Sequence, residues 1–211
     1  MTQTTFYGLA FAAPSGSVMR PRPAGEQLVA TALAFLSRGP GTVVDVGTGS
    51  GAVAIAVANA APGADVWATD TSPEAVAVAR ANVAEHGLAD RVSVRLGDLL
   101  DPVPGSIDLV VANLPYLPQT DAWRFPELAE EPAEAAFAPG DGLDPYRRLL
   151  DACAHRLAAG GAVAIQLHRR VLTARRDELA RLRAELDSLS AEPGRGLLQQ
   201  VERVLQPVLH P

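Results

Sequence analysis

A run of branched apolar residues that breaks into alternating glycines constrains this chain more than any other stretch: Thr42-Val43-Val44-Asp45-Val46-Gly47-Thr48-Gly49-Ser50-Gly51. The valines around a single aspartate read as a strand buried on both faces. Glycines at its end let the backbone turn tightly and approach a ligand without a Cβ in the way. The alanine-rich segment Gly51–Ala60 then reads as a helix whose free N–H groups point at the same place.

The alternation continues along the chain. Asp65–Thr69, Val92–Leu96, Ile107–Ala112 and Ala162–Leu167 read as strands, with Ser188–Ala191 and Gln199–Leu205 as two more at the C-terminal end. Between them lie helical stretches. Ala24–Leu36 is opened by Pro23 and ended by Gly39-Pro40-Gly41. The next runs from the capped start Ser72-Pro73-Glu74 to His86. Leu143–Ala158 is closed by Gly160-Gly161, and Leu172–Leu186 carries mixed charge. A long loop spans Asn113 to Asp141. This pattern predicts an α/β, Rossmann-like fold with a mostly parallel seven-stranded sheet and helices on both faces. Residues 1–23 are expected to form an extended or hairpin segment, with a turn at Pro14-Ser15-Gly16-Ser17. Residues 24–211 then form one domain, a length ordinary for this class.

Composition removes several function classes. The single cysteine, Cys153, forbids an intrachain disulfide and fits a reducing compartment; on a helix it reads as core. The N-terminus lacks a basic segment followed by an apolar one, so no signal peptide is expected. The most apolar region, Ala52–Ala61, is too short to cross a membrane. A cytoplasmic location follows. The net charge of −6 argues against broad nucleic-acid binding. All 18 basic residues are arginine, which excludes lysine Schiff-base or general-base chemistry. No metal is expected. Arg169, Arg170, Arg175, Arg176, Arg181 and Arg183 interleave with acids and read as a solvated helix face.

In a sheet of this kind ligands bind beyond the carboxyl ends of the strands. Gly47, Thr48, Gly49, Ser50 and Gly51 lie there, with Asp45 placed to meet a ligand ammonium or to order the loop. The spacing is G-x-G-x-G rather than the G-x-G-x-x-G of pyrophosphate-binding folds, which disfavours NAD. Asp70, followed by Thr71, ends the second sheet strand and can accept both ribose hydroxyls. Asp98 follows the third and can accept from an adenine amino group, with Leu99 packing on the ring. After the fourth comes Asn113-Leu114-Pro115-Tyr116. The Asn113 side-chain oxygen and a neighbouring carbonyl can both accept from one NH2 group. Tyr116 can stack on a planar acceptor. Such a cradle aligns a weak nitrogen nucleophile by orientation, without a metal or strong base. The pairing predicts methyl transfer from S-adenosylmethionine to nitrogen. Trp123 and Phe125, in the long loop, are candidates for a lid, and His168 for a substrate contact.

Here the chain resembles the HemK/PrmC-type protein-glutamine N5-methyltransferases, members of the class I methyltransferase fold, which carry Asn-Pro-Pro-Tyr at this place. Val18-Met19-Arg20-Pro21-Arg22-Pro23 with Glu26 is similar to the family's segment before the first helix. Glu131-Pro132, Phe137 to Gly142, and Tyr146-Arg147 are similar to its stretch after the acceptor motif. The resemblance implies that Gly47–Gly51, Asp70, Leu99 and Asn113 bind S-adenosylmethionine. It implies that Asn113, Leu114, Pro115 and Tyr116 bind the acceptor glutamine, with Asn113, Pro115 and Tyr116 catalytic. In the family that glutamine lies in the Gly-Gly-Gln loop of peptide-chain release factors. Leu114 stands where the family has its first proline, and Gln166 and His168 where it usually has Glu and Gly. The bacterial enzymes also carry an N-terminal helical docking domain, whereas little precedes Val18 here; shorter relatives use an activator subunit instead. The alternatives are a small-molecule acceptor and a non-catalytic cofactor-binding protein. DNA adenine methylation is disfavoured by the acidic charge.

Overall fold

Five strands form one sheet in the computed structural model, which describes residues 3–167 together with Ala180, Arg181 and Ala184. In chain order the elements are β1 (Gln3–Phe6), β2 (Leu9–Ala12), α1 (Glu26–Leu36), β3 (Thr42–Val46), α2 (Ala52–Ala60), β4 (Asp65–Asp70), α3 (Pro73–Glu85) and β5 (Val92–Leu96). They continue with β6 (Ile107–Ala112), β7 (Leu117–Pro118), α4 (Ala133–Ala136), β8 (Phe137–Ala138), α5 (Asp144–Arg156) and β9 (Leu157–Ile165). The main sheet runs β5-β4-β3-β6-β9 and every pairing in it is parallel. The expected sixth and seventh strands, Ser188–Ala191 and Gln199–Leu205, lie outside the described residues, as does His168. Of the arginine-rich helix, Ala180, Arg181 and Ala184 are helical.

Strand residues alternate between two cores, as a period of two requires. Val43, Val66, Ala68, Leu109, Val111 and Ala164 pack with α1, α2 and α3. Val44, Val46, Val110, Ala112, Val163 and Ile165 pack with α5 through Tyr146, Leu149, Leu150 and Cys153. Cys153 is fully buried, and desolvation pushes its thiol up to about 12, so it is inert core.

Two expected turns are displaced. The extended pieces at the N-terminus pair across Tyr7-Gly8, not across Pro14–Ser17, which turns only after β2. Both central residues of the hairpin have positive φ, 51° at Tyr7 and 75° at Gly8. That is the geometry whose twist suits a two-residue hairpin, and a tyrosine in its first position gives little sign of it. Phe6 and Phe11 of this hairpin sit in the same core as α1 and α2. Gly160-Gly161 do not close α5, which ends at Arg156; they lie inside β9. There the pairing with β6 shifts register between Ile107 and Leu109, and the Ala158, Ile107 and Asp108 carbonyls crowd Gly161. A bulge of this kind selects residues without side chains.

Candidate functional site

Strand order reverses between β3 and β6, and a cavity of about 490 Å³ opens beyond their carboxyl ends. This is where an open α/β sheet leaves a crevice, and the volume suits a small-molecule site. Every sequence-nominated residue from Asp45 to Tyr116 lines it except Gly51. Gly51 instead caps α2, and a Cβ there would meet Ala79 and Ile55.

The glycine loop is held from below by two carboxylates. Asp45 is 3% exposed; its Oδ2 accepts from the Thr48 hydroxyl at 2.6 Å and from the Ala54 N–H at 3.2 Å. It thereby serves as a remote cap for the first turn of α2. Burial pushes its carboxyl up to about 6, against the lowering effect of those two hydrogen bonds. Of the two expected uses of Asp45, ordering the loop is the one its contacts serve. Asp70 accepts from the Gly49 N–H on one oxygen, 2.9 Å, and from the Ser72 N–H on the other, 3.0 Å. Each carboxylate oxygen has further lone-pair capacity, and Asp70 borders the cavity. A Cβ added at Gly49 would meet nothing within 4 Å, so the loop presents bare backbone to open space. Asp98 and Leu99 border the cavity beyond β5; the Asp98 carboxylate is ion-paired with Arg148 of α5.

Asn82, which the sequence alone does not single out, ties this loop to the rest. Its amide donates to the Ser50 carbonyl at 2.8 Å and exchanges two 2.9 Å bonds with the backbone of Ala12. An asparagine in mid-helix, only 3% exposed, is the retrospective signal.

The opposite wall begins at Asn113, directly after β6. Leu114 is buried and its Cδ2 would lie 2.7 Å from a Cβ at Gly47, whose φ is +70°. Gly47 therefore meets two demands at once, a left-handed backbone and room for Leu114. The Leu114 carbonyl accepts from the Tyr146 hydroxyl at 2.9 Å. Tyr116 is largely buried; desolvation raises its phenol above the ordinary value, partly offset by Arg22, so it stays neutral. Gln166 follows β9 and lies beside Asn113, since Ala112 pairs with Ile165. Its Oε1 is buried without a hydrogen-bond partner among the described residues.

Two distant segments close this side. Glu131 has a side chain only 1% exposed and accepts from Arg20, through backbone N–H and Nε, and from Arg22. This carboxylate straps residues 18–22 to the loop before α4. Phe125 and Leu128 line the cavity, whereas Trp123 is 76% exposed and stands outside it, so Phe125 alone keeps the expected position of a lid. The expected long loop is in fact ordered by β7 pairing with β8 and by short 3-10 turns at Gln119–Arg124 and Pro126–Leu128. Among the described residues no helix is long and apolar enough to cross a membrane, and no group of acids, histidines and cysteine could hold a metal.

Comparison with known proteins agrees with this arrangement. The chain is 42% identical over 155 residues to a release factor glutamine methyltransferase from Gloeobacter violaceus, covering 72% of this chain and 54% of the relative. It is 40% identical over 155 residues to a ribosomal protein uL3 glutamine methyltransferase from Bordetella pertussis, covering 71% and 52%. The chain thus spans about half the length of the curated relatives it matches. Among solved structures, a ribosomal protein L11 methylase from Lactobacillus delbrueckii subsp. bulgaricus superposes with a TM-score of 0.56 at 25% identity, covering 80% of this chain and 71% of that one. Residues 24–131, more than half of the chain, match the model of the methyltransferase small domain, and the protein belongs to that family.

Proposed function

We propose that this chain transfers a methyl group from S-adenosylmethionine to the side-chain amide nitrogen of a glutamine in a protein, a peptide-chain release factor being the first-choice acceptor. The observation that carries the reading is the direct seat of Leu114 on Gly47, which brings the acceptor motif against the glycine loop in one cavity. The names of the relatives support a glutamine acceptor. A release-factor substrate would place the protein in the cytoplasm.

The residues present fit the cofactor. Asp70 has lone pairs left for ribose hydroxyls, the open face at Gly49 admits a ligand to the backbone, and Asp98 borders the same cavity as a candidate acceptor for an adenine amino group. When bound, S-adenosylmethionine supplies a methyl group on a positively charged sulfur. The chain's own contribution is placement. Asn113 Oδ1 and the Leu114 carbonyl accept the two N–H bonds of the acceptor amide, and the neutral Tyr116 ring stacks on its plane. Orientation of this kind supplies several powers of ten in rate without a strong base.

The test is methyl transfer from labelled S-adenosylmethionine to a purified release factor, and separately to ribosomal protein uL3, with the modified residue located by mass spectrometry. A single methyl on the glutamine of a Gly-Gly-Gln loop is the expected result. Asn113→Ala should lower turnover on the order of 10²-fold through lost alignment, with cofactor affinity less affected. No transfer to either protein, with cofactor binding intact, defeats the protein-glutamine reading for this chain in favour of a small-molecule acceptor.

A further inference from the structure

The Tyr146 hydroxyl sits between the ends of two strands, 2.9 Å from the Leu114 carbonyl and 2.8 Å from the Gln166 carbonyl. A phenol has one hydrogen to donate, so these two carbonyls share one donor. Tyr146 is 1% exposed and belongs to the same buried cluster as Leu143, Leu149 and Ile165. Burial raises its phenol well above the ordinary value, so the proton is present throughout the working range. The last backbone bond between β6 and β9 here is Gln166 N–H to Ala112 O, 2.9 Å. Beyond it Tyr146 is the link that holds the acceptor motif against the neighbouring strand end.

Leu114 makes that link consequential. A proline would lock φ by its ring; leucine does not, and Pro115 after it restricts only ψ, so the Tyr146 hydrogen bond is an added restraint on the direction of the Leu114 carbonyl. One lone pair takes the Tyr146 hydrogen, and the second remains for a ligand.

We propose that Tyr146 is a positioning residue for methyl transfer, its hydroxyl holding the Leu114 carbonyl at the angle from which that carbonyl receives an N–H of the acceptor amide. This rests on the glutamine-acceptor reading above. Tyr146 touches neither substrate nor cofactor; it acts through the one carbonyl that does. The shared hydrogen also joins that carbonyl to the end of β9, so that the acceptor cradle keeps the alignment of the sheet.

The test compares three forms of the full chain: wild type, Tyr146→Phe and Leu149→Ala, the last removing an equally buried neighbour on the same helix. Measured for each are kcat and KM for release-factor methylation, the Kd for S-adenosylhomocysteine, and Tm. Tyr146→Phe should lower kcat about ten- to hundred-fold, the scale of a misplaced reacting group, with the cofactor-site Kd within about two-fold of wild type. Leu149→Ala should lower Tm more than Tyr146→Phe does and leave kcat unchanged at a temperature where the protein is folded. Wild-type kcat in Tyr146→Phe overturns the assignment. So does an equal loss of kcat in Leu149→Ala, or a loss of cofactor binding that parallels the loss of kcat, because either makes the effect one of packing. A wild-type protein that binds S-adenosylhomocysteine yet methylates neither a release factor nor ribosomal protein uL3 defeats the acceptor reading itself and the assignment with it.

Discussion

The glycine-loop half of the cavity and the Asn113 half are held by different means. At the ends of β3 and β4, Asp45 and Asp70 each accept backbone N–H groups, and the residues involved lie within one strand-turn-helix unit and the strand beside it. At the ends of β6 and β9 the wall is gathered from residues 18–22, 113–116, 125–136 and Gln166, and its restraints are side chains reaching across the chain, those of Tyr146 and Glu131 among them. The first half is a property of local backbone geometry. The second exists only once the core around α5 and the strap at Glu131 have formed. The glycine-loop half is therefore expected to resist changes in distant loops, and the Asn113 half to register them.

The largest expected effect breaks the second half alone. Gly142 has a φ of +89°, and a Cβ there would overlap the backbone carbonyl of Tyr116. Neither the left-handed backbone nor a main-chain clash relaxes by a side-chain rotation. Gly142→Ala should cost about 3 kcal/mol or more, read by denaturant unfolding, with residual cofactor binding in the protein that remains folded.

Next in size is a pH effect confined to the glycine-loop half. The unfolded chain releases the Asp45 proton near the ordinary carboxylate value of 3.8, whereas burial makes the folded protein keep it to about pH 6. The group's stabilising contribution is thus complete below the unfolded value and is lost as pH rises through the folded one. The loss amounts to roughly 3 kcal/mol. Asp45→Asn keeps an oxygen for Thr48 and Ala54 and cannot ionise. It should flatten the stability slope between about pH 4 and 6 and gain stability at pH 7, measured by thermal unfolding across pH. An unchanged slope would show that the carboxyl is not held protonated.

Asp70→Ala follows. It removes the acceptor for the Gly49 and Ser72 N–H groups and the proposed ribose contact. Cofactor affinity should fall by roughly 1.5–3 kcal/mol, as for charge-assisted hydrogen bonds. Calorimetric titration giving wild-type affinity would remove Asp70 from the site.

The smallest effect has the opposite sign. The buried Oε1 of Gln166 has no partner among the described residues, and an unsatisfied polar atom costs about 1 kcal/mol or more. Gln166→Leu should therefore stabilise the ligand-free protein by about 1 kcal/mol, seen as a raised unfolding midpoint, while weakening acceptor methylation. Stabilisation without any functional change would mark Gln166 as a structural fault rather than part of the acceptor wall.

What could be read from residues follows the same division. The near-continuous valine run of β3, the capped start at Ser72 and the apolar run of β6 are local signals, and all appear at their expected places. The hairpin turn at Tyr7-Gly8 and the bulge at Gly160-Gly161 were not legible. The first is carried by a tyrosine held at positive φ, the second by a register shift against another strand. In the site, Asp45 and Asp70 stand out by their spacing from the glycines. Asn82, Tyr146 and Glu131 act only through partners far away in the chain.

By itself the sequence determined the α/β class, the glycine turn and the Asn113–Tyr116 turn after β6. Each depends on the conformations of a few adjacent residues and on the alternation of apolar faces. Tertiary structure alone decided that Leu114 rests on Gly47, that one tyrosine hydrogen serves two strand ends, and that a buried glutamate binds the N-terminal strap over the cavity. Those contacts join residues tens of positions apart. Hydrogen bonding and close packing act over a few ångströms of space, and no local pattern records which distant segments will share them.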